Sequence, residues 1–547
     1  MSSVSQPTEH ITVPNGFKLH TENSAHILLP DTNDAFLNPI QEFNRDLSVA
    51  CIRVWAEEKE EQRRQKRLLR RQKEEAKSNS SKRQKLNEEG AEATKEATST
   101  EEKSTGIVIL EALSATGLRS IRYAKEIPQV NYVLANDLSE AACQAMRRNV
   151  DINGLGSTDV PSTIPPKVRV NEGDACTLMY AHRPAKDRVD VVDLDPYGTA
   201  APFIDAAVQC VRDDGLLCVT CTDLSVLASG NYPEKCFANY GGVPVRGEYC
   251  HESALRLVLS SIASAASRYG RSITPLLSLS IDFYVRLFVR VRTSPLEVKK
   301  LPSQTATYYI CTTCQSYYQQ PLGRTVEQPS KKGGEPNINY KTHSAPTVPQ
   351  RCPECDGTLH LAGPMWSAPI QDPEFAKKVV KHVEEDSSKY GTSARMKGML
   401  TVASEELPVP FYFTPSRIAG YFRCEVPPIM ETTSALLNGG YSVSRSHAVG
   451  GSIKTTAPRS FVYDITREWI KTHPVKMENV SEGHVARKLL QRPQQAEISF
   501  EKHPNAITRD DVKLVRYQTN PTPNWGPKPR AKRKRDAPEE DASMEAE

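Results

Sequence analysis

Short apolar runs recur through the middle of the chain: Ile107–Leu113, Val130–Asn136, Val168–Asn171, Val189–Leu194 and Leu216–Thr222. Between the second and third, the stretch SEAACQAMRRNVDING, residues 139–154, spaces its apolar positions as a helix does and ends on Gly154, the usual helix terminator. Strand, helix, strand at this spacing predicts a parallel sheet covered on both faces. Further on, Leu276–Val291 (LLSLSIDFYVRLFVRV) alternates and then runs apolar, as a long strand or hairpin completing that sheet would. Ligands of such sheets bind at the carboxyl ends of the strands, so the residues just after each run carry the functional information.

The pattern breaks in three places. Residues 57–105 are dense in charge of both signs and poor in apolar residues, which reads as a solvated helix running into a disordered insert. Gln319–Thr347 is rich in Pro, Gly and Lys and reads as a loop, and residues 503–547 end in PKPRAKRKRDAPEEDASMEAE, a basic cluster followed by an acidic tail. At 547 residues the chain has room for two or three folded units plus tails, on a prior of roughly 100–200 residues per domain. No uncharged apolar stretch approaches the roughly 18 residues a membrane span needs; the best run, Leu255–Ala266, contains Arg256 and several serines. The start, MSSVSQPTEHITVPNG, has neither a signal-peptide core nor the arginines of a transit peptide. An intracellular setting is therefore expected, in which the 13 cysteines are reduced thiols or metal ligands. The net charge of +4 says little beside its distribution.

After the first run comes Glu111-Ala112-Leu113-Ser114-Ala115-Thr116-Gly117-Leu118-Arg119, with too few glycines to cradle a pyrophosphate. Asp137 ends the second run, where a carboxylate accepts from ribose hydroxyls, and Asp174-Ala175 follows the third, where a carboxylate can meet an adenine amine. A nucleoside without pyrophosphate fits best, and S-adenosylmethionine is the commonest such cofactor. Helix capping is the other role open to these carboxylates, Asp174 above all. The fourth run ends in Asp193-Leu194-Asp195-Pro196-Tyr197-Gly198. The exocyclic amine of a base is a poor nucleophile because its lone pair is delocalised, so its methylation needs an N–H acceptor and a rigid stacking surface. Asp195 can supply the first, Pro196 the rigid turn and Tyr197 the second, in a motif that resembles the Asp-Pro-Pro-Tyr signature of amino-group methyltransferases. A plain tight turn is the alternative. Cys311-x2-Cys314 and Cys352-x2-Cys355 form two knuckles of the kind that close a structural zinc site, with Pro353 and Gly357 tightening the second.

Together, Phe36-Leu37-Asn38-Pro39 with Asn44-Arg45-Asp46, LSATGLRSIRYA, NDLS, GDA, DLDPYG, the paired knuckles and YFTPSRIAGYFRCEVPP…LLNGGYSVSRSH resemble the eukaryotic tRNA guanine-26 N2,N2-dimethyltransferases. The resemblance covers nearly all of the chain outside the insert, the inter-knuckle loop and the tail. It implies an α/β architecture: a Rossmann-like class I methyltransferase domain with a doubly wound, mostly parallel sheet (1–300), a zinc-binding four-cysteine region (301–362) and a smaller α+β, winged-helix-like RNA-binding domain (363–490). It implies two-step transfer of methyl groups from S-adenosylmethionine to a guanine N2 of tRNA, with Asp195 acting on the amine. By the same resemblance Arg45, Arg119, Asp137, Asp174 and Ala175 contact the cofactor, while Phe36 and Tyr197 sandwich a flipped base. Leu37 stands where an aromatic is frequent in the family, and Tyr197 where phenylalanine is frequent. In the C-terminal domain, Tyr412, Arg417, Tyr421, Phe422, Arg423, Arg445, His447 and Lys454 are the cations and aromatics expected to meet RNA.

The cluster Lys528, Arg530, Lys532, Arg533, Lys534 and Arg535 is typical of a nuclear import signal, with Lys82-Arg83-Gln84-Lys85 as a weaker second. A nuclear protein is expected, with a mitochondrial pool as the minority reading because the family includes mitochondrially targeted members. The partner expected is tRNA, not DNA. Two other functions fit parts of the pattern: a methyltransferase acting on an amine of another nucleic acid, and a zinc-dependent RNA-binding protein with an inactive methyltransferase-like domain. Filled carboxylate positions argue against the second.

Overall fold

The computed structural model describes residues 11–31, 37–85, 106–156, 165–329, 336–344 and 348–507, the side chains of Pro39 and of 74–85 excepted. Phe36, residues 86–105 of the charged stretch and the tail cluster from Lys528 to Arg535 lie outside the described residues.

The five apolar runs are the parallel strands β1 (Ile107–Glu111), β2 (Val130–Asp137), β3 (Val168–Glu172), β4 (Val189–Leu194) and β5 (Val211–Cys221). Leu276–Val291 resolves into the hairpin β6 (Arg271–Ile281) and β7 (Tyr284–Thr293), which closes the sheet in the order β3-β2-β1-β4-β5-β7-β6 with only β7 reversed. All residues of β1 and β4 are buried, as expected of strands covered on both faces. This is the doubly wound, Rossmann-like fold, and its strand order reverses between β1 and β4, where ligands bind such sheets.

Helix α1 (Glu42–Lys85) lies on one face, burying Phe43, Leu47, Ile52 and Trp55 in a core shared with β1, β5 and β6. The charged stretch from 57, expected as a solvated helix running into a disordered insert, is helical as far as Lys85. Two causes act together. Glu, Lys, Arg, Gln and Leu are good helix formers, and the emerging turns are anchored, Lys59 Nζ to Asp190 at 2.8 Å and Glu58 to Arg290 and Lys378 at 3.0 and 2.6 Å.

The knuckles sit on a three-stranded sheet, Tyr317–Pro321, Thr305–Cys311 and Leu359–Trp366. The boundary expected at 363 falls inside the last of these strands. The two helices beyond it, Pro373–Glu385 and Ser393–Glu405, bury Phe375, Val379, Met396 and Leu400 in the same core as α1, so they belong with the large sheet. A separate core joins the four cysteines to Phe413, Ile418, Phe422, Leu436, Tyr463 and Leu489, which come from the helices Pro415–Phe422, Ile429–Asn438, Arg459–Thr472 and Val485–Gln491 and the residues leading into them. With the hairpin Val443–Arg445/Ile453–Thr455 these make a small α+β unit. No helix among the described residues is long and apolar enough to cross a membrane.

Four of the residues expected to meet RNA are instead interior, three of them ties between the two units and Phe422 part of the small unit's core. Lys454 Nζ lies 3.1 Å from Glu252 and 3.0 Å from Glu406, and His447 Nδ1 lies 2.5 Å from Glu406 while its Nε2 accepts from Ser280 N. Tyr412 donates to the Glu248 carbonyl at 2.7 Å, and Phe422 is wholly buried. Burial alone would raise the Glu406 carboxyl, but Lys454 and His447 hold it far below its ordinary value. A charged or aromatic residue in sequence gives no sign of which way it faces; here burial demands pairing, and pairing removes these groups from the surface. Arg417 and Arg423 are exposed.

Candidate active site

Three loops at the carboxyl edge build one side of the site. After β1, Gly117 takes φ +77° before helix α2 (Leu118–Glu126), and a side chain there would press within 2.8 Å of Met146, so glycine is required on both counts. Asp137, at the end of β2, accepts from Ala115 N at 2.9 Å and Ser139 N at 3.0 Å, tying the first two loops together. Asp174, after β3, caps the helix Ala175–Ala181 by accepting from Thr177 N at 2.7 Å, which lowers its carboxyl from the ordinary value; Ala175 beside it is buried. The capping role is thus realised, on an exposed residue at the mouth of the edge.

On the other side of β1, the turn after β4 is locked to the end of β5. Gly198, at φ +84°, donates to Thr222 Oγ1 at 2.8 Å and accepts from Thr222 N at 2.8 Å; Thr199 Oγ1 meets Tyr240 OH at 2.6 Å. The turn leaves Tyr197 77% exposed and the Asp195 side chain only 19% exposed. Arg119, buried, donates to Asp195 Oδ2 and to Ser48 Oγ at 3.0 Å, and its guanidinium also lies 3.6 Å from both Glu111 and Asp193. Arg286, from β7, pairs with Asp193 at 2.7 Å and donates to the same Ser48 Oγ at 2.8 Å. Burial would raise Asp193, yet Arg286 and Arg119 lower it below its usual value. At Glu111 burial wins and pushes the carboxyl up to about 8. Three acids thus face two guanidiniums in one buried cluster.

Of the sequence-derived residues, Asp195 and Arg119 are brought into contact, Asp137, Asp174 and Ala175 line the adjoining edge, and Tyr197 stands at its rim. Arg45 is not in the Arg119 cluster by contact. Its Nε and Nη2 donate to Glu22 of the N-terminal hairpin at 2.7 and 2.5 Å, in a second buried network with Arg122, Asp46 and Glu126. Ser48, Glu111, Asp193, Arg286 and Tyr123, whose hydroxyl donates to Asp193 Oδ2, escaped sequence reasoning. A signal existed for two of them. Asp193 and Asp195 are two apart on a strand and so share a face, and Arg286 interrupts an apolar run, where a buried charge needs a partner. Replacing Asp137 with alanine is expected to weaken S-adenosylmethionine binding at least several-fold by calorimetry; an unchanged dissociation constant would remove the ribose-contact role.

The four cysteine Sγ atoms lie within 4.8 Å of one another, all buried, with Cys311–Cys355 at 3.4 Å and Cys314–Cys352 at 3.5 Å. These separations far exceed a disulfide bond of about 2.05 Å and approach the roughly 3.8 Å edge of a tetrahedron of thiolates around zinc. A Cβ on Gly357 would lie 2.9 Å from Cys311 Sγ, so the residue that tightens the knuckle also keeps the cluster clear. The donor set and its closure fit a structural zinc ion.

A family model described as N2,N2-dimethylguanosine tRNA methyltransferase matches residues 16–467. The tRNA (guanine(26)-N(2))-dimethyltransferase of Schizosaccharomyces pombe is 45% identical over 518 residues, 93% of this chain and 91% of that protein. The enzyme of the same name from Homo sapiens is 40% identical, covering 94% and 77%, and that of Saccharomyces cerevisiae, named as mitochondrial, is 43% identical, covering 94% and 92%. Among solved structures, Trm1 from Pyrococcus horikoshii in complex with S-adenosyl-L-methionine superposes with a TM-score of 0.61 at 26% identity, over 82% of this chain and 99% of that one.

Proposed function

From the premise that the chain belongs to the N2,N2-dimethylguanosine tRNA methyltransferase family, we propose that it transfers methyl groups from S-adenosylmethionine to N2 of guanine 26 in tRNA, giving the N2-methyl and then the N2,N2-dimethyl nucleoside. The observation that carries this reading is the Asp195-Pro196-Tyr197 turn, held rigidly beside the three loops that suit a nucleoside cofactor. S-adenosylmethionine, when bound, supplies a methyl group activated on a sulfonium sulfur. Arg119 fixes one oxygen of Asp195 and so orients the other as acceptor for the N–H of the target amine, whose proton would pass to that oxygen as the N–C bond forms and the methyl–sulfur bond breaks to leave the thioether. Tyr197 stacks on the flipped base from the exposed rim, with Phe36 as its partner. Desolvation first, then Asp195 and Asp137, raise the Tyr197 phenol. It acts as a neutral ring. Asp137 holds the ribose, and Asp174 and Ala175 border the adenine.

Cys311, Cys314, Cys352 and Cys355 hold a structural zinc ion. The small α+β unit receives tRNA through its exposed cations, Arg417 and Arg423 among them. The tail cluster directs the protein to the nucleus, and the mitochondrial name of the Saccharomyces cerevisiae relative supports a second pool. Neutralising Lys528, Arg530, Lys532, Arg533, Lys534 and Arg535 together is expected to shift a fluorescent fusion out of the nucleus with activity in vitro unchanged; unaltered localisation would assign the cluster elsewhere. The function itself is tested by incubating the purified protein with unmodified tRNA and labelled S-adenosylmethionine, followed by nucleoside analysis. Dimethylguanosine is the expected product, and tRNA without labelled guanosine would overturn the reading.

A further inference from the structure

On β7, Arg286 crosses in front of Thr220 of β5 to reach Asp193 of β4. Side chains alternate along a strand, so Tyr284 projects from the same face two residues nearer the carboxyl edge. Asp195 bears the same relation to Asp193. Tyr284 therefore stands toward Asp195 as Arg286 stands toward Asp193. The phenol is 5% exposed, and its hydroxyl has no hydrogen-bond partner among the described residues. Burial raises the phenol well above its ordinary value, with the charges of Arg395 and Asp195 both acting on it, so it stays neutral and able to donate. The neighbouring hairpin tip is anchored. Arg395 pairs with Asp282 at the hairpin tip at 2.8 Å and lies 4.5 Å over the ring of Phe43, while the next residue, Phe283, is 81% exposed at the open edge.

A buried hydroxyl left without a partner costs roughly 1–3 kcal/mol, and such a group beside a reactive carboxylate points to a ligand that completes it. The strand order says which ligand. The loops suited to the cofactor follow β1, β2 and β3, all on one side of β4, whereas β7 lies two strands away on the other side. That is the side of the base. Beside its N2 amine a guanine edge offers one further donor, N1–H, and one acceptor, N3. An ionised carboxylate only accepts, so Asp195 can take N–H groups but leaves N3 wanting a donor. We propose that Tyr284 is a further substrate-contacting residue whose hydroxyl donates to N3 of the target guanine, opposite Asp195, and so reads the base and fixes its rotation in the site. This rests on the tRNA guanine reading above.

The test compares wild type and Tyr284→Phe on two tRNAs, one with guanosine and one with 3-deazaguanosine at position 26, in which N3 is replaced by C–H. On guanosine, Tyr284→Phe is expected to lower kcat/KM for tRNA by roughly 10- to 100-fold, the effect of unpairing a buried partner. The dissociation constant for S-adenosylmethionine and the melting temperature should not move. On 3-deazaguanosine the wild type should lose a similar factor and the variant little more, because both changes remove one bond. Near-normal turnover by Tyr284→Phe, or losses that simply add, overturn the assignment, as does weakened cofactor binding with an unchanged response to tRNA. If the variant does not fold, the wild type alone decides: equal rates on the two tRNAs sink the contact. A wild type inactive on unmodified tRNA fails the parent reading instead.

Discussion

Asp195→Ala is expected to slow methyl transfer to tRNA by roughly 10²- to 10⁴-fold, the range for loss of a positioned proton acceptor, while the protein still folds and binds S-adenosylmethionine and tRNA. The geometry separates these effects. Asp195 leaves the sheet at the rim with a part-exposed side chain, and the turn that carries it is held through Gly198, Thr199 and Thr222, not through the carboxylate. Its removal frees one nitrogen of Arg119, which keeps its hydrogen bond to Ser48 and still lies 3.6 Å from both Glu111 and Asp193. Single-turnover transfer and cofactor titration, run side by side, read the two quantities. Turnover near the wild-type rate would take the acceptor role from Asp195, and Glu111 or Asp193, both wholly buried, could not assume it without rearrangement of the cluster.

Cys352→Ser should be at least as damaging, but to the fold instead of the chemistry. Structural zinc contributes about 10–16 kcal/mol in zinc-finger peptides near neutral pH, which exceeds the whole stability of many domains. Here the four thiols are not peripheral. They lie in one core with Phe413, Phe422, Tyr463 and Leu489, and Tyr463 OH donates to the Cys314 carbonyl at 2.7 Å. Losing the metal therefore unties the small unit, and through Lys454, Glu406 and Glu252 the seam with the large one. Zinc per mole of protein and soluble yield should fall together. A soluble variant with full zinc content would show that Cys352 is not a ligand.

How much could be read from the chain depended on whether the signal was local. The strands were legible because a strand buried on both faces must be apolar along its length, and β1 and β4 are. The four-cysteine cluster was legible because metal-binding knuckles have a characteristic spacing, and the turn after β4 because Asp-Pro-aromatic is one contiguous device. That the charged run from 57 begins as a helix was legible; its anchoring to the large sheet was not. A charged run looks the same whether it is solvated or anchored, and only Asp190, Arg290 and Lys378, far away in sequence, anchor it. Lys454 and His447 were misread for the same reason.

By itself, then, the sequence determined the periodicities, the turn chemistry and the cysteine spacings, and with them the fold class, the strand ends that border the candidate site and the side chains proposed for proton transfer and metal binding. What the tertiary structure alone decided was pairing across distance: that Arg119 and Arg286 share Ser48, that Glu111 and Asp193 both lie against Arg119, that Arg45 belongs to Glu22, and that the Tyr284 hydroxyl is buried without a hydrogen-bond partner among the described residues. The physical reason is desolvation. Taking a charge or hydroxyl out of water makes its partner obligatory, and that partner comes from whichever element the fold packs alongside, a choice no local stretch of residues encodes.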